Sequence, residues 1–193
     1  LMEMIRIDSP SFHEKPMTDY LEKYFKDRGY EVYRDEAGSK FGSDGGNVLV
    51  QNVIPKHLDC ITGKLQDMGV KIIPFDDAVR VISDRRLRPA TAKTRPYPGF
   101  PTDMQAQVCV CMALAHGISR LTESVYETRF FGYCSELESM GAKISIEGRT
   151  AIVTGVDHLK GATVAAHDLR AGAALVIAGL AAKGTTKVKS EAK

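Results

Sequence analysis

The chain contains no tryptophan, no CxxC pair and no long uncharged hydrophobic run. The missing tryptophan carries no functional message, but the other absences do. The four cysteines, Cys60, Cys109, Cys111 and Cys134, have neither zinc-binding spacing nor an accompanying histidine cluster, so no metal site is expected. Cys109 and Cys111 fall in an apolar stretch and read as small core hydrophobes. Cys134 follows Gly132-Tyr133 and is expected to be more exposed, with no Lys, Arg or His within three positions to activate it. Unpaired thiols of this kind fit a reducing, cytoplasmic setting. The longest uncharged apolar run, Ala171–Ala182, is too short to cross a bilayer and reads as a buried helix, so no membrane association is expected. No basic segment followed by an apolar one opens the chain, so no secretory signal is visible. Charge of one sign is also lacking: the net charge is +2 and the basic residues are scattered, which argues against a nucleic-acid partner. The Gly/Ser loop Gly38–Gly46 has no GK[ST] or GxGxxG, hence no phosphate-binding signature.

What is present fits an ordinary globular protein, with 44% hydrophobic and 26% charged residues in 193 positions, room for one large domain or two small ones. The first fifty residues have their own pattern. Ser11 and Glu14 form a capping box ahead of a helix that stops at Gly29, and Tyr30–Arg34 and Asn47–Gln51 read as strands. From Pro55 onward the chain repeats itself. Leu65–Ile72 (LQDMGVKI) matches Leu137–Ile144 (LESMGAKI), and Leu87–Thr91 matches Leu159–Thr163, both at an offset of 137 − 65 = 72. The following helix starts correspond as Asp103 and Asp168, an offset of 168 − 103 = 65, so the first copy carries about seven extra residues around Arg95–Pro101.

Each copy reads as a helix ending at Met-Gly, two strands, a third strand, a helix starting at the Asp, and a closing strand. The strands are expected at Lys71–Ile73, Val79–Ser83, Thr91–Thr94 and Ile118–Thr122, then at Lys143–Ile146, Thr150–Thr154, Thr163–Ala166 and Thr185–Val188. Pro101 and Thr102 stand where a helix start wants a proline and a cap. One such unit cannot close a core, so the copies must pack together, with helices inside and sheets outside or the reverse.

Chemistry points first to Asp103. A carboxylate in the first turn of a helix is stabilised by unpaired N–H groups and the helix dipole whether or not it has a function. Here a loop with three prolines precedes it, Arg95-Pro96-Tyr97-Pro98-Gly99-Phe100-Pro101, and a stiff loop absent from the other copy suits a positioned general base. Asp168 and Arg170 hold the equivalent place in the second copy, where they would bind a charged group or only cap a helix. Glu123, Glu127 and Arg129 lie in the connection after a strand and read as solvated. His57-Leu58-Asp59 spells HxD, but a helix start explains it without a metal.

Several motifs in order, FPTDMQAQ (Phe100–Gln107), LTESVYETRF (Leu121–Phe130), ELESMGA (Glu136–Ala142) and the run Leu159–Thr186, resemble the UDP-N-acetylglucosamine 1-carboxyvinyltransferase family of enolpyruvyl transferases, from about Gln51 to Val188. The resemblance implies α/β domains built from βαβαββ units of an inside-out α/β barrel. It implies transfer of enolpyruvyl from phosphoenolpyruvate to the 3-hydroxyl of UDP-N-acetylglucosamine in peptidoglycan synthesis, with no cofactor. On the matching motifs, Asp103 resembles the carboxylate that removes the hydroxyl proton, and Val125 a residue whose backbone contacts the sugar nucleotide. Arg129, Asp168 and Arg170 resemble residues lining the substrate cleft. The family's catalytic cysteine, on a loop of its other domain, and its phosphoenolpyruvate-binding arginines there have no counterpart in this sequence. Little or no turnover is therefore expected, with self-association as one way to complete a barrel. Residues 1–50 resemble the start of an M20-type zinc aminopeptidase, which suggests a chimaera joined at Asn47–Gln51, with residues 51–188 as the transferase-like domain and 189–193 as a tail. A peptidase-derived enzyme and a non-catalytic scaffold are the alternatives.

Overall fold

The computed structural model describes residues 46–126 and 128–190. The capping box, helix and strand expected before residue 46 lie outside that range. Among the described residues the chain runs β1 (Gly46–Gln51), α1 (Asp59–Asp67), β2 (Lys71–Pro74), β3 (Ala78–Ser83), β4 (Thr91–Lys93), α2 (Gln105–Leu114) and β5 (Ile118–Thr122). It continues through α3 (Cys134–Ser139), β6 (Lys143–Glu147), β7 (Thr150–Thr154), β8 (Leu159–Lys160), β9 (Thr163–Ala166), α4 (Leu169–Ala181), β10 (Ala182–Lys183) and β11 (Lys187–Ser190).

The repeat is visible in the backbone. Helices α1 and α3 end in the same way, on Gly69 and Gly141 at φ 94° and 92°. Around each glycine the same two bonds close the helix: Gly69 and Val70 donate to Gln66 and Leu65, and Gly141 and Ala142 donate to Glu138 and Leu137. This is a Schellman ending, which needs a residue at ease with positive φ. The hairpins that follow share their register, since Lys71 pairs with Ile82 and Lys143 pairs with Thr154, each 72 positions on.

One unit is complete. Strands β4 to β7, with α2 and α3 between them, form a four-stranded sheet in the order β4-β5-β7-β6. Within it β4 and β5 run parallel, and the other pairs are antiparallel. Before it in the chain comes the sheet β1-β3-β2, matching β5-β7-β6, and after it the parallel pair β9 and β11, matching β4 and β5. The order βαβαββ therefore holds as the resemblance implies.

The helices are inside. Seven residues of α2 are buried, Gln105, Ala106, Val108, Cys109, Val110, Met112 and Ala113, and the buried face of α4 is Ala171, Ala174, Leu175 and Ala178. Small side chains let these two helices pack directly on each other. The sheets cover them with one face only: Ser119 and Leu121 of β5 and Ala151 and Val153 of β7 point inward, while their neighbours are exposed or half-buried. Leu121, Leu137, Met140 and Leu175 are fully enclosed, each contributing about 1.5–3 kcal/mol by leaving water. No described helix is long and apolar enough to cross a membrane.

Four expectations are corrected. The closing strand is Lys187–Ser190, not Thr185–Val188. Helix α2 starts at Gln105 because Thr102–Met104 first forms a 3-10 turn, and the Thr102 hydroxyl bonds elsewhere instead of capping it. The more exposed position assigned to Cys134 is wrong: it is 3% exposed, packed in the core with Phe130 and Tyr133. The connection after β5 is not solvated at Glu123, which is 0% exposed, or at Arg129, whose side chain is 10% exposed.

Candidate functional site

Two helix mouths meet at the site. In the first, β4 leads into the loop Arg95–Pro101, which closes on itself through bonds from Arg95 N–H to the Phe100 carbonyl and from Gly99 N–H to the Pro96 carbonyl. A Cβ on Gly99 would sit 2.4 Å from that of Arg95, so the turn is too tight for any other residue. Asp103 emerges from the 3-10 turn that follows, with its side chain 59% exposed. In the second mouth, β9 leads to α4. Asp168 is the N-cap, its Oδ1 accepting from the N–H groups of Arg170 and Ala171. A capping carboxylate of this kind satisfies two otherwise unpaired donors.

The two mouths are joined by charge. Arg170 Nε donates to Asp103 Oδ1 at 2.7 Å, across 67 residues of sequence. Arg129 Nη2 approaches the same oxygen at 3.9 Å. The Arg129 guanidinium also lies over the Tyr126 ring at 4.8 Å, a cation–π contact that fixes its plane. Gly132, in the turn after Arg129, lies against Asp168: a Cβ there would stand in van der Waals contact with Oδ2, at 3.4 Å. Asp103, Arg129, Asp168 and Arg170 thus share one place, where one oxygen of an exposed carboxylate meets two guanidinium groups.

Val125 is the fifth expected residue; it is 45% exposed and precedes Tyr126, whose ring meets Arg129. Its N–H donates to Glu123 Oε1 at 2.7 Å, so any backbone contact from Val125 to a ligand runs through its carbonyl. Glu123 itself was not expected to matter. Its Oε1 accepts from the Thr94 hydroxyl at 2.6 Å and from the N–H groups of Val125 and Tyr126, and its Oε2 accepts from the Thr102 hydroxyl at 2.8 Å. Burial raises its pKa, but the bonds from Thr94, Tyr126, Val125 and Thr102 together outweigh that and hold it below the ordinary carboxylate value.

His57-Leu58-Asp59 spans the end of a short 3-10 turn and the start of α1. No cluster of three or more His, Cys, Asp and Glu side chains able to hold a metal occurs among the described residues. Of the two cysteines of α2, Cys109 is buried in the core and Cys111 is half-buried. Hydrogen bonding with Cys134, together with burial, pushes Cys109 well above its usual range, and burial pushes Cys111 up to about 11.

Fold and site together define a class: an inside-out α/β repeat protein with an acid held by arginines where two helices begin. Residues 43–193 match the family model of EPSP synthase (3-phosphoshikimate 1-carboxyvinyltransferase), and the chain belongs to this family of enolpyruvyl transferases. It is 55% identical over 144 residues to UDP-N-acetylglucosamine 1-carboxyvinyltransferase 3 of Caldanaerobacter subterraneus subsp. tengcongensis, covering 75% of this chain and 34% of that one. It is 49% identical over 171 residues to the UDP-N-acetylglucosamine 1-carboxyvinyltransferase of Clostridium botulinum, covering 86% and 41%. Among solved structures it is similar to the enolpyruvyl transferase NikO from Streptomyces tendae, with TM-score 0.67 and 28% identity over 74% of this chain and 34% of that one. An EPSP synthase from Acinetobacter baumannii shares the fold at TM-score 0.58 and 18% identity, over 85% and 40%. The chain thus spans about a third of the length of the first of these relatives. These relatives lend no support to the aminopeptidase reading of residues 1–50, most of which lies outside the described residues.

Proposed function

We propose that this chain carries the sugar-nucleotide side of a UDP-N-acetylglucosamine enolpyruvyl transferase site, with Asp103 as the base. In this reading the 3-hydroxyl oxygen of the sugar bonds to C2 of phosphoenolpyruvate while its proton passes to Asp103, and C3 gains a proton from an acid. Loss of phosphate from C2 and of a proton from C3 then leaves the enol ether. The observation that carries the reading is the Asp103 carboxylate, exposed yet fixed by Arg170 at 2.7 Å. A base that is oriented in advance needs little rearrangement to meet a hydroxyl. Arg129 and Arg170 supply positive charge for a diphosphate or for phosphoenolpyruvate, Asp168 holds the start of the helix that carries Arg170, and Val125 offers its backbone to the sugar nucleotide. The resemblance assigns the cysteine acid to the family's other domain, so the part proposed for these residues is binding of the sugar nucleotide and removal of its hydroxyl proton. Association of two chains to complete a barrel belongs to the same proposal, and sedimentation velocity with and without ligand tests it.

Calorimetric titration with UDP-N-acetylglucosamine is the deciding experiment. Saturable heat is expected, weakened about tenfold or more in Arg170→Ala, as loss of a charged hydrogen bond implies. No heat at millimolar ligand favours a non-catalytic scaffold. Phosphate release from both substrates measures turnover, and any turnover that Asp103→Asn leaves intact removes Asp103 from the mechanism.

A further inference from the structure

The connection after β5 holds a fully buried carboxylate, and its bonds reach Thr94, Thr102, Val125 and Tyr126. Glu123 has no surface of its own to meet a ligand. Through Oε2 it holds the hydroxyl of Thr102, the residue before Asp103. Through Oε1 it holds the N–H of Val125, and that of Tyr126, whose ring lies beneath Arg129. Thr94, itself 0% exposed, fixes Oε1 from the end of β4 and accepts from Ser124 N–H, while the Ser124 hydroxyl donates to the Thr94 carbonyl. The turn Thr102–Met104 and the turn Ser124–Tyr126 lie on different connections, and this one carboxylate ties them together.

We propose that Glu123 is the positioning residue of the site, setting the base-bearing turn and the Val125–Tyr126 turn in register with each other through one shared carboxylate. The proposal rests on the reading of Asp103 and Arg129 given above. It assigns Glu123 no contact with substrate. Its effect passes through Thr102 to Asp103 and through Tyr126 to Arg129. Neutral Gln at this position keeps an acceptor oxygen for the two amides and for Thr94, and its amide group can donate to Thr102 in place of accepting. Alanine removes every arm.

The test follows the Arg170 Nε–H resonance in the full chain labelled with 15N-arginine, because that proton is bonded to Asp103 and reports its placement without any ligand. In Glu123→Ala, shown to be folded by far-UV circular dichroism, the resonance is expected to leave its wild-type position and exchange faster with water. Affinity for UDP-N-acetylglucosamine is expected to fall about tenfold or more. Glu123→Gln should restore the resonance and most of the affinity. Thr102→Val, which cuts one arm only, should also shift the resonance and serves if the alanine variant does not fold. An Arg170 Nε–H unmoved in folded Glu123→Ala, or in Thr102→Val, overturns the proposal, since a purely structural role lowers Tm without displacing Asp103. If the wild type gives no heat with the sugar nucleotide, the functional reading falls, and the resonance still decides whether Glu123 places Asp103.

Discussion

At the scale of single residues, buried ionisable groups separate structural from chemical roles. Glu123 is held below its ordinary pKa of 4.5, so its contribution to stability is complete above that value. Below it the unfolded chain takes up the proton first, and the contribution shrinks until the pH has fallen through the depressed folded value. Urea midpoints measured from pH 6 downward should therefore drop more steeply in the wild type than in Glu123→Gln; parallel curves would show that the carboxylate gives no such linkage. The thiols give a second prediction. Cys109 and Cys134 are buried and Cys111 is pushed up to about 11, so a thiol reagent at pH 8 should modify Cys60 first and reach the other three only after unfolding. Fast labelling of Cys134 in the native chain would contradict its burial.

At the scale of elements, close backbone approaches decide what is tolerated. Gly155, just after β7, donates to the Gly117 carbonyl, and a Cβ there would fall 1.6 Å from the Ala115 carbonyl oxygen. Beside it the Arg86 guanidinium donates to the carbonyls of Leu114, Ala115 and Val156 and to Asp157. Gly155→Ala should cost more than about 3 kcal/mol in urea unfolding, since backbone must move, and Arg86→Met about 1.5–3 kcal/mol. A loss under about 1 kcal/mol in Gly155→Ala would mean that the corner yields readily to a Cβ.

Much of this scale was legible in the sequence. The 72-residue offset, the Met-Gly helix endings and most strands were readable because each is a local signal: alternation, a glycine at positive φ, a repeated string. The extra loop before Asp103 was readable against its own copy. Glu123 was not, and the reason is spatial. Its partners Thr94 and Thr102 lie 29 and 21 residues away. They become neighbours only because β4 and β5 run parallel around α2. A charged residue after a strand looks solvated until that pairing is known. The available hint was Thr94 closing the partner strand. The start of α2 was misplaced for a related reason, as Thr102 bonds sideways to Glu123 when its own sequence context suggests a cap.

At the scale of the whole molecule, stability should be graded outward from the complete unit. Helix α1 has no buried residue and β1 is exposed along most of its length, whereas α2, β5 and β7 form the centre. Hydrogen exchange should give amides of α2, β5 and β7 protection at least about tenfold above those of α1 and β1. Uniform protection would instead mark one cooperative body.

The duplicated strand-to-helix turn has an evolutionary corollary. Asp103 and Asp168 hold equivalent positions in the two copies, yet one secures a helix while the other, exposed, accepts from a guanidinium supplied by its sister copy. On the proposed reading of Asp103, duplication let one acid keep the fold sound while leaving the other exposed for chemistry, and the contact between Asp103 and Arg170 needs both copies.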